Sequence, residues 1–258
     1  MVLVWAMFPV FWMLLISVKN PADQFVMPPK FLFIPIIDNY VTAVSDPFFL
    51  RSLTNSLVIA LSATLASLAI AAPAGYSLAR FSFKGRSAFA YLVLVTSMTP
   101  LLGILLPFFV MFVQLGLFDT QLGVIIVYIM LRLALSTWMV MSFVQDLPKE
   151  IEESAFIDGC SWFTTFRLIV LPLIAPGLAA TAIIGFIFCW NEFAAAFILT
   201  GTNAQTATVF LFKYMGREFI NWGPLTATGI LILLPVEIFA LVVQRYLIRG
   251  LTFGAVKG

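Results

Sequence analysis

Residues 147–172 read LPKEIEESAFIDGCSWFTTFRLIVLP, and this stretch governs how the rest of the chain is read. It is the longest polar island in an otherwise apolar sequence. Asp146 at its edge, Glu150, Glu152, Glu153 and Asp158 are five of the chain's twelve acidic residues. Leu147-Pro148 ends the apolar run before it, because proline cannot continue a helical hydrogen-bond ladder. The glutamates then fall near the start of a new short helix, where the helix dipole favours negative charge. Ile151, Ala155 and Phe156 give that helix an apolar side. Gly159 ends it, since glycine enters the left-handed region at little cost. A second short helix carries Trp162, Phe163 and Phe166, and Leu171-Pro172 leads into the next apolar run. The expectation is a compact helix-turn-helix between two long apolar helices. A plain solvated connection is usually shorter and less aromatic.

Outside the island the chain is built for lipid. Of 258 residues, 62% are hydrophobic and 10% charged, where a soluble domain carries about 25% charged residues. A membrane span needs about 20 mostly apolar residues, and several windows qualify. Six helices are expected, at about Val2–Val18, Ser52–Ala79, Ser87–Phe112, Leu122–Gln145, Leu173–Thr200 and Pro224–Tyr246. The first is short for a bilayer; residues before Met1 in the native product, or a frayed helix end, would account for that. It lacks the basic start and small-residue cleavage site of a signal peptide. Residues 19–51 form a loop rich in proline and acid. A loop with Lys213, Arg217 and Glu218 precedes the last helix, and residues 247–258 form a tail.

The distribution of Lys and Arg sets the orientation. One side holds Arg80, Lys84, Arg86, Lys149, Arg167, Arg245, Arg249 and Lys257. The other holds Lys19, Lys30, Arg51, Lys213 and Arg217. The richer side is expected in the cytoplasm, together with the island and both chain ends. The net charge of +2 is too small to suggest nucleic acid. With no histidine in the chain, zinc sites and Ser-His or Cys-His catalysis are excluded. Cys160 and Cys189 read as packed thiols rather than a disulfide. There is no Gly-x-x-x-x-Gly-Lys-Ser/Thr phosphate loop, so the chain is not a motor. No catalytic residue, metal or cofactor is expected.

Small residues recur at every fourth position: Ala63, Ser67, Ala71, Gly75 and Ala79 in the second helix, Gly177, Thr181 and Gly185 in the fifth. They permit close backbone approach in lipid. Packing within the chain is the first reading and a subunit interface the second. Arg132, Glu192 and Glu237 interrupt apolar helices, where a charge costs roughly 2.5 to 3.5 kcal/mol on insertion scales. Arg132 and Glu237 sit about midway along their helices, at positions from which they could pair. Asn191 and Glu192 cluster polar groups and are candidates for a translocation path.

Within the island, Glu153-Ser154-Ala155 is followed after three residues by Gly159 and after nine more by Ile169-Val170-Leu171-Pro172. This pattern resembles the EAA loop of ABC-importer permeases, with Ser154 where the family usually has alanine. Trp190-Asn191-Glu192-Phe193 and the tail from Gln244 to Gly258 resemble the carbohydrate-uptake group, the maltose and glycerol-phosphate importers. The resemblance implies an all-α membrane protein with six transmembrane helices, the type I (MetI-like) permease fold, with the permease domain over residues 52–246. It implies that Glu153, Ser154, Ala155, Asp158, Gly159, Ile169, Leu171 and Pro172 couple the chain to an ATPase. The implied partners are a second homologous permease, two ATP-binding subunits, an external solute-binding protein, membrane lipid, and a sugar or polyol substrate. In such an importer ATP closes the ATPase pair, and the permeases switch from inward-open to outward-open. The other readings are an importer of a non-sugar solute, a secondary carrier or channel working without an ATPase, and a membrane enzyme. Three scattered charges and no internal repeat support a carrier poorly.

Overall fold

The computed structural model of the chain describes residues 1–216 and 219–252, with side chains described except at residues 2–4 and 242–252. Among the described residues the regular elements are helices, apart from one isolated antiparallel bridge between Met215 and Ile220. They are α1 (Val2–Ser17), α2 (Asp38–Val44), α3 (Pro47–Arg80), α4 (Arg86–Thr96), α5 (Leu101–Gln114), α6 (Gln121–Gln145), α7 (Lys149–Ile157) and α8 (Trp162–Thr165). A π-turn (Phe166–Val170) leads to α9 (Leu171–Leu173), α10 (Ala175–Asn191), α11 (Ala194–Leu199), α12 (Ala207–Phe210), a 3-10 turn (Leu211–Tyr214) and α13 (Trp222–Thr252).

The centre is α3 laid along α6, with α10 packed on both, α13 on α10, and α1 outermost against α13. The small-residue spacing explains the central seam. Ala63, Ser67, Ala71, Gly75 and Ala79 are all buried. A β-carbon on Gly75 would lie 2.9 Å from both the Thr137 carbonyl oxygen and the Met141 amide nitrogen of α6. A β-carbon on Gly177 would meet the Phe143 ring at 2.5 Å, and one on Gly185 would meet Thr64 at 3.3 Å. These stripes therefore serve packing within the chain. In lipid such packing, rather than the hydrophobic effect, holds helices together.

α3 begins at Pro47, five residues before the expected start. The Asp46 carboxylate accepts the Phe48 amide at 2.9 Å, and Pro47 occupies the first turn, where its missing N–H is no loss. Residues 19–46 are not all loop, since α2 lies within them.

Two of the expected helices are broken. The third bends by 84° between α4 and α5. Pro100 disfavours helical geometry at Thr99, and the hydroxyls of Thr96 and Ser97 bond back to the carbonyls of Val93 and Leu94. At the start of the fifth, α9 and α10 meet at 72°, where Pro176 lacks an N–H and crowds the carbonyl four residues earlier. Within its expected span the fifth helix breaks at Glu192, whose backbone is extended (φ −67°, ψ 128°) before α11 starts. Among the described residues, three helices are long and apolar enough to cross a membrane, five if each bent pair is one span. A further apolar helix, Trp5–Ser17, is shorter. The last helix continues through residues 247–252, where a tail was expected. Residues 253–258, and Arg217 and Glu218 of the preceding loop, lie outside the described residues.

Candidate functional site

The island forms the expected pair of short helices, but its inward face is not the expected one. In α7, Ala155 is buried and Phe156 half-buried, while Ile151 is exposed. Glu152 turns inward instead, only 4% exposed. Its carboxylate accepts the Arg80 Nε at 2.5 Å and the Tyr76 hydroxyl at 2.8 Å. The Arg80 Nη2 also donates to the Leu147 carbonyl at 2.8 Å. One arginine at the end of α3 thus holds both ends of the α6–α7 connection. Removing one partner of such a buried pair costs about 3–5 kcal/mol, because the other charge is left uncompensated.

An aromatic cluster backs this contact. The Phe156 and Trp162 rings lie 4.3 Å apart, Phe81 and Trp162 4.7 Å, and Tyr76 and Phe166 4.9 Å. Gly159 sits between α7 and α8 with φ +86°, the left-handed geometry that the sequence asks of it. The outer surface is exposed and mixed in character: Glu153, Ser154, Asp158 and Arg167 beside Ile157, Phe163 and Leu168. Of the expected coupling residues, Glu153, Ser154, Asp158 and Gly159 are on this surface, with Pro172 exposed further along the chain. Ala155 faces inward, and Ile169 and Leu171 are half-buried.

The intramembrane charges divide. Arg132 and Glu192 border one cavity of about 350 Å³, together with Ser97, Tyr128, Phe188 and Cys189. The cavity lies where the α4–α5 bend and the α10–α11 break meet α6. The break also shows how the Glu192 charge is accommodated. Its carboxylate accepts the Ala195 amide at 3.0 and 3.2 Å and the Ala196 amide at 3.3 Å. Its carbonyl accepts the hydroxyls of Tyr128 and Thr208, each at 3.2 Å. Arg132 lies over the Phe188 ring, 4.3 Å from its centroid. It does not pair with Glu237: among the described residues neither takes part in an ion pair. Glu237 is exposed on α13, away from the cavity, so a mid-helix position in sequence did not bring the two together. Asn191 is exposed and bonds back to the Ile187 carbonyl at 2.8 Å. A larger cleft of about 490 Å³ opens between α1 and α13, but its wall is almost wholly apolar and holds no charge.

A third cluster lies at the opposite end of α3 and was not singled out from the sequence. Asp119, in the turn before α6, accepts the amides of Gly201, Asn203 and Ala204 at 2.8 to 3.1 Å and the Asn203 side chain at 3.0 Å. Asn55 of α3 donates to the carbonyls of Asn203 and Gln205, and Ser56 accepts the Ala207 amide. Burial pushes the Asp119 carboxyl up, but its N–H donors outweigh that and hold it below the usual carboxylate value. Asp119 adopts φ +56°, a left-handed conformation that aspartate tolerates better than most residues. That tolerance, beside Gly116, was the one sequence signal for this turn.

The structure is thus a bent multi-helix bundle with a helix-turn-helix docked at one end and, along one side, a largely apolar cavity that carries Arg132 and Glu192. Residues 71–253 match the family described as the binding-protein-dependent transport system inner membrane component, and the chain belongs to that family. It is 36% identical over 262 residues to the trehalose/maltose transport system permease protein MalG of Thermococcus litoralis, covering 98% of this chain and 92% of that one. It is 34% identical over 260 residues to the trehalose transport system permease protein SugB of Mycobacterium tuberculosis, covering 98% and 93%. Among solved structures, a bacterial ABC transporter that imports alginate matches with a TM-score of 0.80 at 21% identity, over 94% of this chain and 91% of that chain. At that identity the match speaks for the fold.

Proposed function

We propose that this chain is one of two permease subunits of an ATP-driven importer for a sugar or polyol. The observation that carries the reading is the α7–α8 element. Its inner side is pinned to α3 by Glu152, and its outer side presents Glu153, Ile157 and Phe163 uncovered. A short helix fixed on one face and bare on the other suits docking into a cleft of an ATPase. The chain itself hydrolyses nothing; two ATP-binding subunits supply the work, and a second, homologous permease completes the pathway. The element stands on the cytoplasmic side, as do both chain ends. The loop at residues 200–206, on the opposite side, meets the external solute-binding protein. When the ATPase pair closes on ATP, it shifts the bundle toward outward-open by binding that state more tightly. Arg132 and Glu192 line the path; Asn191 and Glu237 stand outside it. The nearly full-length likeness to permeases named for trehalose and maltose supports the sugar class.

The test is co-purification followed by transport. The tagged chain is expressed from its own operon, and the complex is placed in vesicles with ATP inside and the binding protein outside. ATP-dependent uptake of a sugar is expected. Uptake without any ATPase, driven by a proton or sodium gradient, would replace this reading with a secondary carrier.

A further inference from the structure

Arg132 and Glu192 border the same cavity, carry opposite charges, and form no ion pair with each other. Arg132 is 8% exposed, and its Nε has no hydrogen-bond partner. A buried donor left unmade carries a desolvation penalty, so this wall lacks an acceptor. Glu192 supplies the converse. Its carboxylate caps α11 through two amides, and two carboxylate oxygens offer about four acceptor positions. Ser97 and Tyr128 also line the cavity, their hydroxyls donating to the Leu94 and Glu192 carbonyls with acceptor capacity left over. At about 350 Å³ the cavity falls within the size range of small-ligand pockets.

The charges select the ligand. An anion drawn to Arg132 meets the Glu192 carboxylate in the same space, and a cation meets the reverse. A hydroxyl both accepts and donates, so adjacent hydroxyls satisfy both walls with no net charge. We propose that this cavity is a subsite for a neutral polyhydroxylated ligand, a sugar ring or a polyol, which accepts from Arg132 and donates to Glu192 and is thereby distinguished from a uronate. The proposal rests on the reading of the chain as a solute permease, and it makes this chain a direct contributor of ligand contacts.

Cys189 lies in the same wall, and Cys160, the chain's other cysteine, lies in the 147–172 stretch. In a Cys160→Ser background, Cys189 is therefore the chain's single native reporter thiol. The complex with its co-purifying subunits is treated with N-ethylmaleimide, and labelling of Cys189 is followed by mass spectrometry. The probes are trehalose, maltose, sorbitol and a digalacturonate. At least one neutral probe should slow labelling, and the digalacturonate should not. Arg132→Gln and Glu192→Gln should each raise the half-protecting concentration by about tenfold, the loss of a hydrogen bond to a charged group. Glu192→Gln keeps an oxygen to cap α11 and should also let the digalacturonate protect, an effect that a merely structural role for Glu192 does not produce. Three results overturn the proposal: no probe protects, the digalacturonate protects the unmutated cavity as well as the neutral probes do, or protection is unchanged in both variants. Sugar uptake by vesicles with Cys189 unprotected removes the subsite and leaves the permease; absence of any ATP-driven uptake removes the permease reading itself.

Discussion

A carboxylate organises the contacts near each end of α3, Asp119 at one end and Glu152 at the other, and the two are built differently. At its start, beside Asn55, Asp119 gathers mostly backbone N–H groups from residues 201–204. At its end, Glu152 gathers side-chain donors, Arg80 and Tyr76. A tie to backbone holds a loop whatever side chains that loop carries, so those side chains are free to vary. A tie between side chains depends on three named residues on two elements. It makes a joint between a long helix and a short one, and both faces of the joint must be right at once. The first end is a clamp on backbone, and the second is a joint between side chains.

The comparison breaks most readily at the joint. Glu152→Ala leaves Arg80 buried without its partner and should destabilise the chain by about 3–5 kcal/mol. Thermal unfolding of the detergent-solubilised complex measures this. Adding Arg80→Ala should recover part of the loss; no recovery would mean that Arg80 is not held by this pair.

Asp119→Ala should cost less, about 1–3 kcal/mol for several N–H groups left unmade, and should act locally. Faster amide exchange at Gly201, Asn203 and Ala204, with the joint unchanged, is the expected result. The same clamp has a pH signature. The folded carboxyl sits below its unfolded value, so its stabilisation is complete above the ordinary carboxylate pKa of about 4 and is lost as pH falls through the lower folded value. Exchange protection at these amides, corrected for intrinsic rates, should hold at about pH 5 and fall only below the ordinary value. A fall that begins well above that value would contradict the depressed pKa.

Gly159→Ala comes next. Nothing lies within 4 Å of the added β-carbon, so the cost is only the left-handed backbone, roughly 1–2 kcal/mol. Gly159→Asn should cost less than alanine, and a reversed order would refute the backbone argument. The smallest effect on stability belongs to Glu153→Lys. The residue is exposed on α7, so the change should stay within about 0.5 kcal/mol. It should nevertheless lower transport-coupled ATP hydrolysis in the reconstituted complex. Full stimulation by loaded binding protein would remove Glu153 from the docking surface. Together with Glu152→Ala, this sets two neighbouring glutamates in opposite roles, one structural and one functional.

Much of the fold was legible because hydropathy reads what touches lipid. The long apolar runs, the short-helix pair at 149–165 and the Gly159 turn follow from composition and from proline and glycine chemistry. The small-residue spacing pointed to close approach, and Gly75 against Thr137 shows which approach it was. The bends were not read, although Pro100 and Pro176 were in view, because a proline marks where a helix changes direction and apolarity masks that the direction changed. Glu152 does not stand out in the sequence because charge near a helix start is usually solvated, and its partner Arg80, distant in sequence, reads there only as a sign of orientation. The Arg132–Glu237 pairing failed for a related reason: depth along a helix says nothing about azimuth. Asp119 left almost no trace, since its partners are backbone groups and those carry no residue signature.

The contact at Gly75 has a mechanical consequence. A methyl group at Gly75 would collide with the α6 backbone, so α3 and α6 interlock at that point, and interiors packed this closely transmit strain. They behave as one beam. Arg80 is at one tip and Asn55 is 25 residues earlier, roughly 38 Å away at the rise of an α-helix. A tilt applied at the Arg80 tip would reach the other as an angle, with no relay of intervening side chains. For a beam of that length, the displacement at the Asn55 end scales with the length itself and not with the strength of any single contact along it.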